Sequence, residues 1–302
     1  MPPSPGRVAG ALAAIYVIWG STYLAIRVMV ETIPPLLGAG VRFLVAGALM
    51  YAWVRWRRSP VRVSRAELLA CGLVGVLLMF GGNGLVTVAE QDVPSGLAAL
   101  LIASEPLWII VLRALWRERP GRVSALGVIA GFAGVALLLA PGERPEGASL
   151  AACLLVVFAA VCWASGSFAG SRLPQPSDPL HATALQMLLG GAVMSAAAVA
   201  VGEPWDLELG AVSGDSWIAF AYLVAIGSIV AFTAYAWLLR NVPISTVSTY
   251  AYVNPVIAVF LGWAILSEPV SPITIAATAI IVASVALTMR EEGTGREVEP
   301  AA

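Results

Sequence analysis

Charge is what this sequence has least of. Only 12% of its 302 residues are Asp, Glu, Lys or Arg, against about 25% in an ordinary soluble domain. With 59% hydrophobic residues and a mean hydropathy of +0.87, too few polar residues remain to cover one or two soluble domains. The chain reads as an all-α polytopic membrane protein. Lysine is absent, so all 17 basic residues are arginines. That excludes an ATP-driven pump within this chain, because a P-loop needs a lysine for the phosphates, and it excludes Schiff-base chemistry. The single histidine, His181, cannot make HExxH, and no G-x-S-x-G elbow is present. Cys71, Cys153 and Cys162 are scattered through apolar runs, which argues against a disulfide framework or a zinc site and fits small hydrophobes. No metal and no cofactor is expected. A net charge of −1 gives nucleic acid nothing to bind. The chain reads as no enzyme, with a carboxylate- or serine-based intramembrane enzyme, or a receptor or scaffold, as alternatives.

Long apolar runs are plentiful. A membrane helix needs about 20 mainly apolar residues, and ten such runs occur: 8–26, 35–54, 68–88, 94–115, 123–140, 148–169, 179–201, 216–239, 244–266 and 272–289. The first exceeds the roughly 7–15 residues of a signal h-region and so reads as a span. Pro34, Pro94, Pro120, Pro179, Pro243 and Pro269 lie near span ends. Residues 290–302 are polar and lack aromatics, and read as a disordered tail. With the N-terminus in the cytoplasm, fourteen arginines face that side, only Arg27 and Arg144 face the other, and Arg42 lies within the membrane. The cytoplasmic set includes Arg58, Arg119, Arg290 and Arg296. The positive-inside rule therefore puts both ends in the cytoplasm.

The chain contains itself twice. Pro94, Pro106 and Pro120 match Pro243, Pro255 and Pro269 at an offset of 149, while Trp19 and Pro35 match Trp163 and Pro179 at 144. Five spans per half is odd, so the second half enters the membrane upside down. Inverted repeats of this sort build secondary transporters with a midplane site between the halves.

The stretches IWGSTYLAIR (18–27), VRFLVAGAL (41–49) and GGNGLVTVAEQDVPSGLAALLIASEPLW (81–108) resemble the drug/metabolite transporter superfamily, specifically proteins with two EamA domains. On that resemblance residues 8–140 form the first repeat and 148–289 the second. It implies ten transmembrane helices in two inverted five-helix repeats, working as an exporter of small organic molecules, amino-acid-like or drug-like. The AEQ-VPSGLAAL run is similar to a bacterial inner-membrane group. Import of a small organic solute on the same fold is the alternative.

Arg42 is the residue that asks for an explanation. It lies about 12 Å below the outer end of its span, near the middle of a core about 30 Å thick. Insertion of a central arginine costs about 2.5–3.5 kcal/mol, which roughly eight apolar neighbours offset. Folded, it needs a partner, and Glu105 lies at similar depth, about 16 Å from the same surface. Either the two form a strut, or Arg42 binds a substrate carboxylate through its planar fork, or it snorkels. Repeat alignment puts Gln186 opposite Arg42 and Asn254 opposite Glu105. Glu105 is also the deepest acid and a candidate for a coupling proton, whereas Glu90 and Asp92 sit at the outer mouth. Trp19, Tyr23, Asn83, Trp108, Trp163, Tyr235, Tyr250 and Tyr252 are cavity candidates, with helix packing the plainer reading of each. In the family, spans one, three and four and their counterparts surround the cavity. Trp53, Trp56, Trp116, Trp205 and Trp217 fall at span ends, as interfacial anchors do. Gly127, Gly131 and Gly134 in span five, with Ala279 and Ala283 in span ten, allow close helix approach. Packing within the chain is the first reading, and a homodimer the alternative. Gly81–Gly82 and Gly190–Gly191 read as flexing points or as close packing.

Overall fold

Apolar runs bounded by prolines and small polar caps fold as helices because lipid offers no partner for a free backbone amide. The computed structural model describes residues 3–57, 62–118, 120–140, 147–242, 244–247 and 249–297, and among these there is no strand. Arg58, Arg119, Arg144 and Pro243 lie outside the described residues.

Ten helices follow in order: α1 (Pro5–Met29), α2 (Pro35–Arg57), α3 (Arg65–Ala89), α4 (Ser95–Leu115), α5 (Arg122–Leu138), α6 (Leu150–Gly170), α7 (Pro179–Val201), α8 (Gly214–Asn241), α9 (Tyr250–Leu266) and α10 (Pro272–Glu297). Among the described residues two single turns stand apart from these ten, Glu203–Asp206 after α7 and Ile244–Val247 before α9. Seven of them, α1 to α4 and α6 to α8, are long and apolar enough to cross a membrane, while α5, α9 and the stretch Pro272–Thr288 are shorter apolar helices. Starts are set by familiar devices. Ser64 forms a capping box with Glu67, while Ser149, Asp178 and Ser213 accept amide hydrogens of the first turn. Helix α10 runs on to Glu297, so residues 290–297 are helical rather than the disordered tail read from composition. No proline follows Pro272 within that helix to interrupt its backbone ladder.

The neighbours of each helix reveal the repeat. Helix α2 packs on α7 and α5 on α10; α1 packs on α8 and α9, as α6 packs on α3 and α4; α3 meets α7, as α8 meets α2. Exchanging the first five helices for the second five, in order, leaves that pattern unchanged. Both halves also carry a stretch of wide π-type turns at the same place in their third helix, Val76–Gly84 in α3 and Leu223–Val230 in α8.

Glycines make the closest approaches possible. A Cβ on Gly134 would lie 2.9 Å from Ile281 Cγ1, and one on Gly127 would strike Thr288. The glycine stripe of α5 is thus covered within the chain by α10. Ala279 and Ala283 are exposed instead, and α10 meets α5 through Ile281, Ser284 and Thr288. A Cβ on Gly81 would sit 2.8 Å from Cys162 Cβ and one on Gly191 3.1 Å from the Gly40 carbonyl oxygen, so both glycine pairs serve close packing. Trp53, Trp56, Trp116, Trp205 and Trp217 are all exposed at helix ends.

Candidate functional site

Two breaks in helical regularity point side chains into the interior. In α4 the helix stops at Ala103–Ser104 and restarts at Glu105, where Pro106 supplies no amide hydrogen. Ser104 Oγ turns back to donate to the Leu101 carbonyl at 2.6 Å. Glu105 thereby sits in the first turn of a new helical segment, whose positive end favours a carboxylate. In α3, the wide turns carry Asn83, whose Nδ2 donates to the carbonyl of Leu78 five residues back, at 3.3 Å. Wide turns of this kind are frequent at functional sites.

The space so created is lined by Trp19, Thr22 and Tyr23 of α1, Arg42 of α2 and Asn83 of α3. Glu105 of α4 and Trp163 of α6 face it from another side, with Phe232 of α8 and Tyr250 and Asn254 of α9 completing it. About 90 Å³ of it is open to the centres of water-sized molecules. Holding one water takes about 10–15 Å³ by the same measure, so the cavity accepts a cluster of waters or a small solute.

Arg42 is 2% exposed. Its Nε donates to Ser228 Oγ at 3.0 Å, and Ser228 donates in turn to the Leu223 carbonyl at 2.9 Å, across the wide turns of α8. Its Cζ lies 4.7 Å from the Phe43 ring centroid. Gly227 lies alongside, where an added Cβ would sit 3.1 Å from Thr22 Cγ2 and 3.4 Å from Nη2. Nη1 has no partner among the described residues. The expected strut with Glu105 is not formed: ion pairs among the described residues join Arg113 and Arg172 to Glu118 and Arg240 to Asp178, and none involves Arg42. The break before Glu105 gives that carboxylate its own helix terminus, while Arg42 turns to α8. The cavity therefore holds one buried cation and one buried acid that are not paired with each other.

On one side the cavity is floored by aromatics. The Trp19 ring lies 5.3 Å from Phe232, 5.1 Å from Tyr235 and 5.0 Å from Tyr250. Below them the Tyr16 hydroxyl is hydrogen-bonded to Thr249 Oγ1. Asn254, with its amide NH2 turned to acceptors, donates to the carbonyls of Tyr16 at 3.1 Å and Tyr250 at 3.3 Å.

Eight of the residues singled out in the sequence thus meet: Trp19, Tyr23, Arg42, Asn83, Glu105, Trp163, Tyr250 and Asn254. Four do not line the cavity, and of these Tyr235 packs against Trp19. Trp108 packs edge-on against Phe132 of α5, 4.6 Å between centroids. Gln186 donates to Gln175 Oε1 at 3.2 Å, beside Cys71, at the crossing of α3 and α7. Tyr252 joins the hydrophobic core. Ser228, Thr22 and Phe232 escaped sequence reading, since a lone serine in LVAIGSIV carries no signal of its partner.

Among the described residues, no group of three or more His, Cys, Asp or Glu side chains is arranged to hold a metal ion. The sequence profile of the EamA-like transporter family matches residues 7–140 and 150–290. The chain is 42% identical over 282 residues to the uncharacterized inner membrane transporter YedA of Escherichia coli K12, covering 92% of this chain and 89% of that protein. It is 27% identical to the uncharacterized transporter YvbV of Bacillus subtilis, over 93% and 91% of the two chains. A solved crystal structure 22% identical in sequence superposes with a TM-score of 0.65, covering 98% of this chain and all of that one. Two matching segments, each spanning five of the helices described above, show that the chain belongs to the EamA-like transporter family.

Proposed function

We propose that this protein is a secondary transporter that carries a small organic solute across the bacterial inner membrane by alternating access. Arg42 holds an anionic group of the cargo, and Glu105 takes up a coupling proton. The observation that carries the reading is the guanidinium of Arg42, buried against the cavity with no acid paired to it and no partner for Nη1 among the described residues. A planar donor fork so held is suited to a carboxylate or a similar anion. The pseudo-two-fold neighbour pattern supports rocking of one half against the other. All ten helices cross the membrane in this reading, with both termini in the cytoplasm, as the arginine distribution favours. The name of the E. coli relative supports the inner membrane, and the family resemblance favours export.

The test is thermal stability of the detergent-purified protein and of Arg42→Gln, screened against amino acids, organic acids and organic cations. A ligand at 100 times its Kd stabilises by about 2.7 kcal/mol. An anionic compound should stabilise the wild type and leave a folded Arg42→Gln unmoved. If the variant is itself much less stable but answers to the same ligands, Arg42 is a strut and the binding role is wrong.

A further inference from the structure

Where α3 ends, Glu90 is 0% exposed, and among the described residues no side chain donates to either of its carboxyl oxygens, the Arg27 backbone being the polar group nearest to them. The turn that contains it is tied to α1 by Arg27, whose Nη1 donates to the carbonyl of Glu90 and, at 2.6 Å, to that of Gln91. A second tie lies close by. Glu268, in the connection between α9 and α10, accepts from the amides of Ser95 at 2.7 Å and Gly96 at 3.0 Å, at the start of α4. Ser267 before it adopts φ 56°, a left-handed conformation unusual for a residue with a side chain. The outer ends of α1, α3, α4 and α9 are thus fastened around one carboxyl group that none of the fastenings uses.

An ionised carboxylate enclosed without hydrogen bonds carries a desolvation penalty of several kcal/mol, and such a group takes up a proton instead. The charges that reach Glu90 come from every side. Arg27 of α1 and Arg42 of α2 act as cations, and Glu268 as an anion. Tyr23 of α1 is the other titratable group that feels it, and Asp92 follows on the same turn, exposed. Neither guanidinium donates to the carboxyl group, because that of Arg27 is engaged by backbone carbonyls and that of Arg42 by Ser228.

We propose that Glu90 is a proton-binding site built into the outer gate: with its proton the gate is shut, and losing the proton opens it. The O–H bond of the acid breaks, the proton passes to water at the outer surface, and the electron pair remains on the carboxylate. The anion, enclosed without side-chain donors, draws in water, which competes for the carbonyls that Arg27 holds, and the outer ends of α1 and α3 part. This rests on the transporter reading, and it concerns a group separate from Glu105, which lines the cavity where Glu90 does not.

The experiment uses the full chain in lipid nanodiscs, lacking Cys71, Cys153 and Cys162, with spin-labelled cysteines replacing the exposed Glu31 and Gln91. Electron–electron double resonance between pH 5 and 9, without any solute, reports the distance across the gate. Raising the pH should populate a longer distance, the open-to-closed ratio changing up to tenfold per unit for one linked proton. Glu90→Gln should hold the short distance throughout. Glu90→Asp should keep the response with a displaced midpoint, which decides the matter should Glu90→Gln fail to fold. A wild-type distance independent of pH, or a response that Glu90→Gln leaves intact, overturns the proposal. The measurement needs no cargo, so failure to find a solute bears on the transporter reading alone.

Discussion

Placing a single methyl group on Gly190 should loosen the crossing on which the cavity wall rests. Helices α3 and α7 meet backbone to backbone: a Cβ on Gly190 would collide with the carbonyl of Gly75 and lie 2.8 Å from Met79 Cβ. Carbon atoms in good contact sit about 3.5–4.0 Å apart, so the helices must separate by about 1 Å. The obstacle is main chain and cannot rotate away. Overpacking of this kind costs about 1–3 kcal/mol, and the upper half of that range is expected for Gly190→Ala. At about 2–4 °C per kcal/mol for chains approaching this length, the midpoint of thermal unfolding in detergent should fall by roughly 4–12 °C. The control lies three residues from Gly75, where a Cβ on Gly72 would meet only Leu189 Cδ1 at 3.7 Å. Gly72→Ala should be neutral or gain up to about 1 kcal/mol from helix propensity. A Gly190→Ala protein that melts with the wild type, or no lower than Gly72→Ala, refutes the argument that this interface sets the helix spacing.

Ser228→Ala removes the acceptor of Arg42 Nε. A hydrogen bond to a charged group contributes about 1.5–3 kcal/mol, so thermal unfolding should register that loss, while Ser228→Thr, which keeps the hydroxyl, should restore most of it. At the end of α4, the hydrogen bond from Arg113, helped by Arg172, holds the Glu118 carboxyl below its ordinary pKa. Its contribution is therefore full at neutral pH and fades as the pH falls through the folded value. Being solvent-exposed and screened it is small, and the difference in melting point between wild type and Glu118→Gln should shrink to nothing in acid.

Much of the fold was legible because lipid demands long apolar helices, and the demand is written in composition. Arg42 stood out because it interrupts one such run. Its partner did not, for Ser228 lies 186 residues away and a buried serine looks like any other. The restart of α4 is written in Ser104–Glu105–Pro106, where the proline both marks the repeat and opens the new helical segment. The wide turns of α3 and α8 had no signal, since no residue type encodes a hydrogen bond to the fifth carbonyl back. Gln186, the residue that the repeat alignment sets opposite Arg42, stands outside the cavity. Each lies seven residues into its helix, α2 from Pro35 and α7 from Pro179. In an inverted repeat those starts belong to opposite ends of the bundle, so equivalence in sequence separates the two in depth.

The hydrogen bond between Arg42 and Ser228 also sets a clock on synthesis. A ribosome adding about 5–20 residues per second needs roughly 10–40 s to make the 186 residues between them. Throughout that interval the second helix stands in the bilayer, or at the insertion machinery, with its guanidinium unaccompanied. Until its eighth helix arrives, the newborn chain relies on the apolar neighbours of Arg42 alone to keep that helix in place.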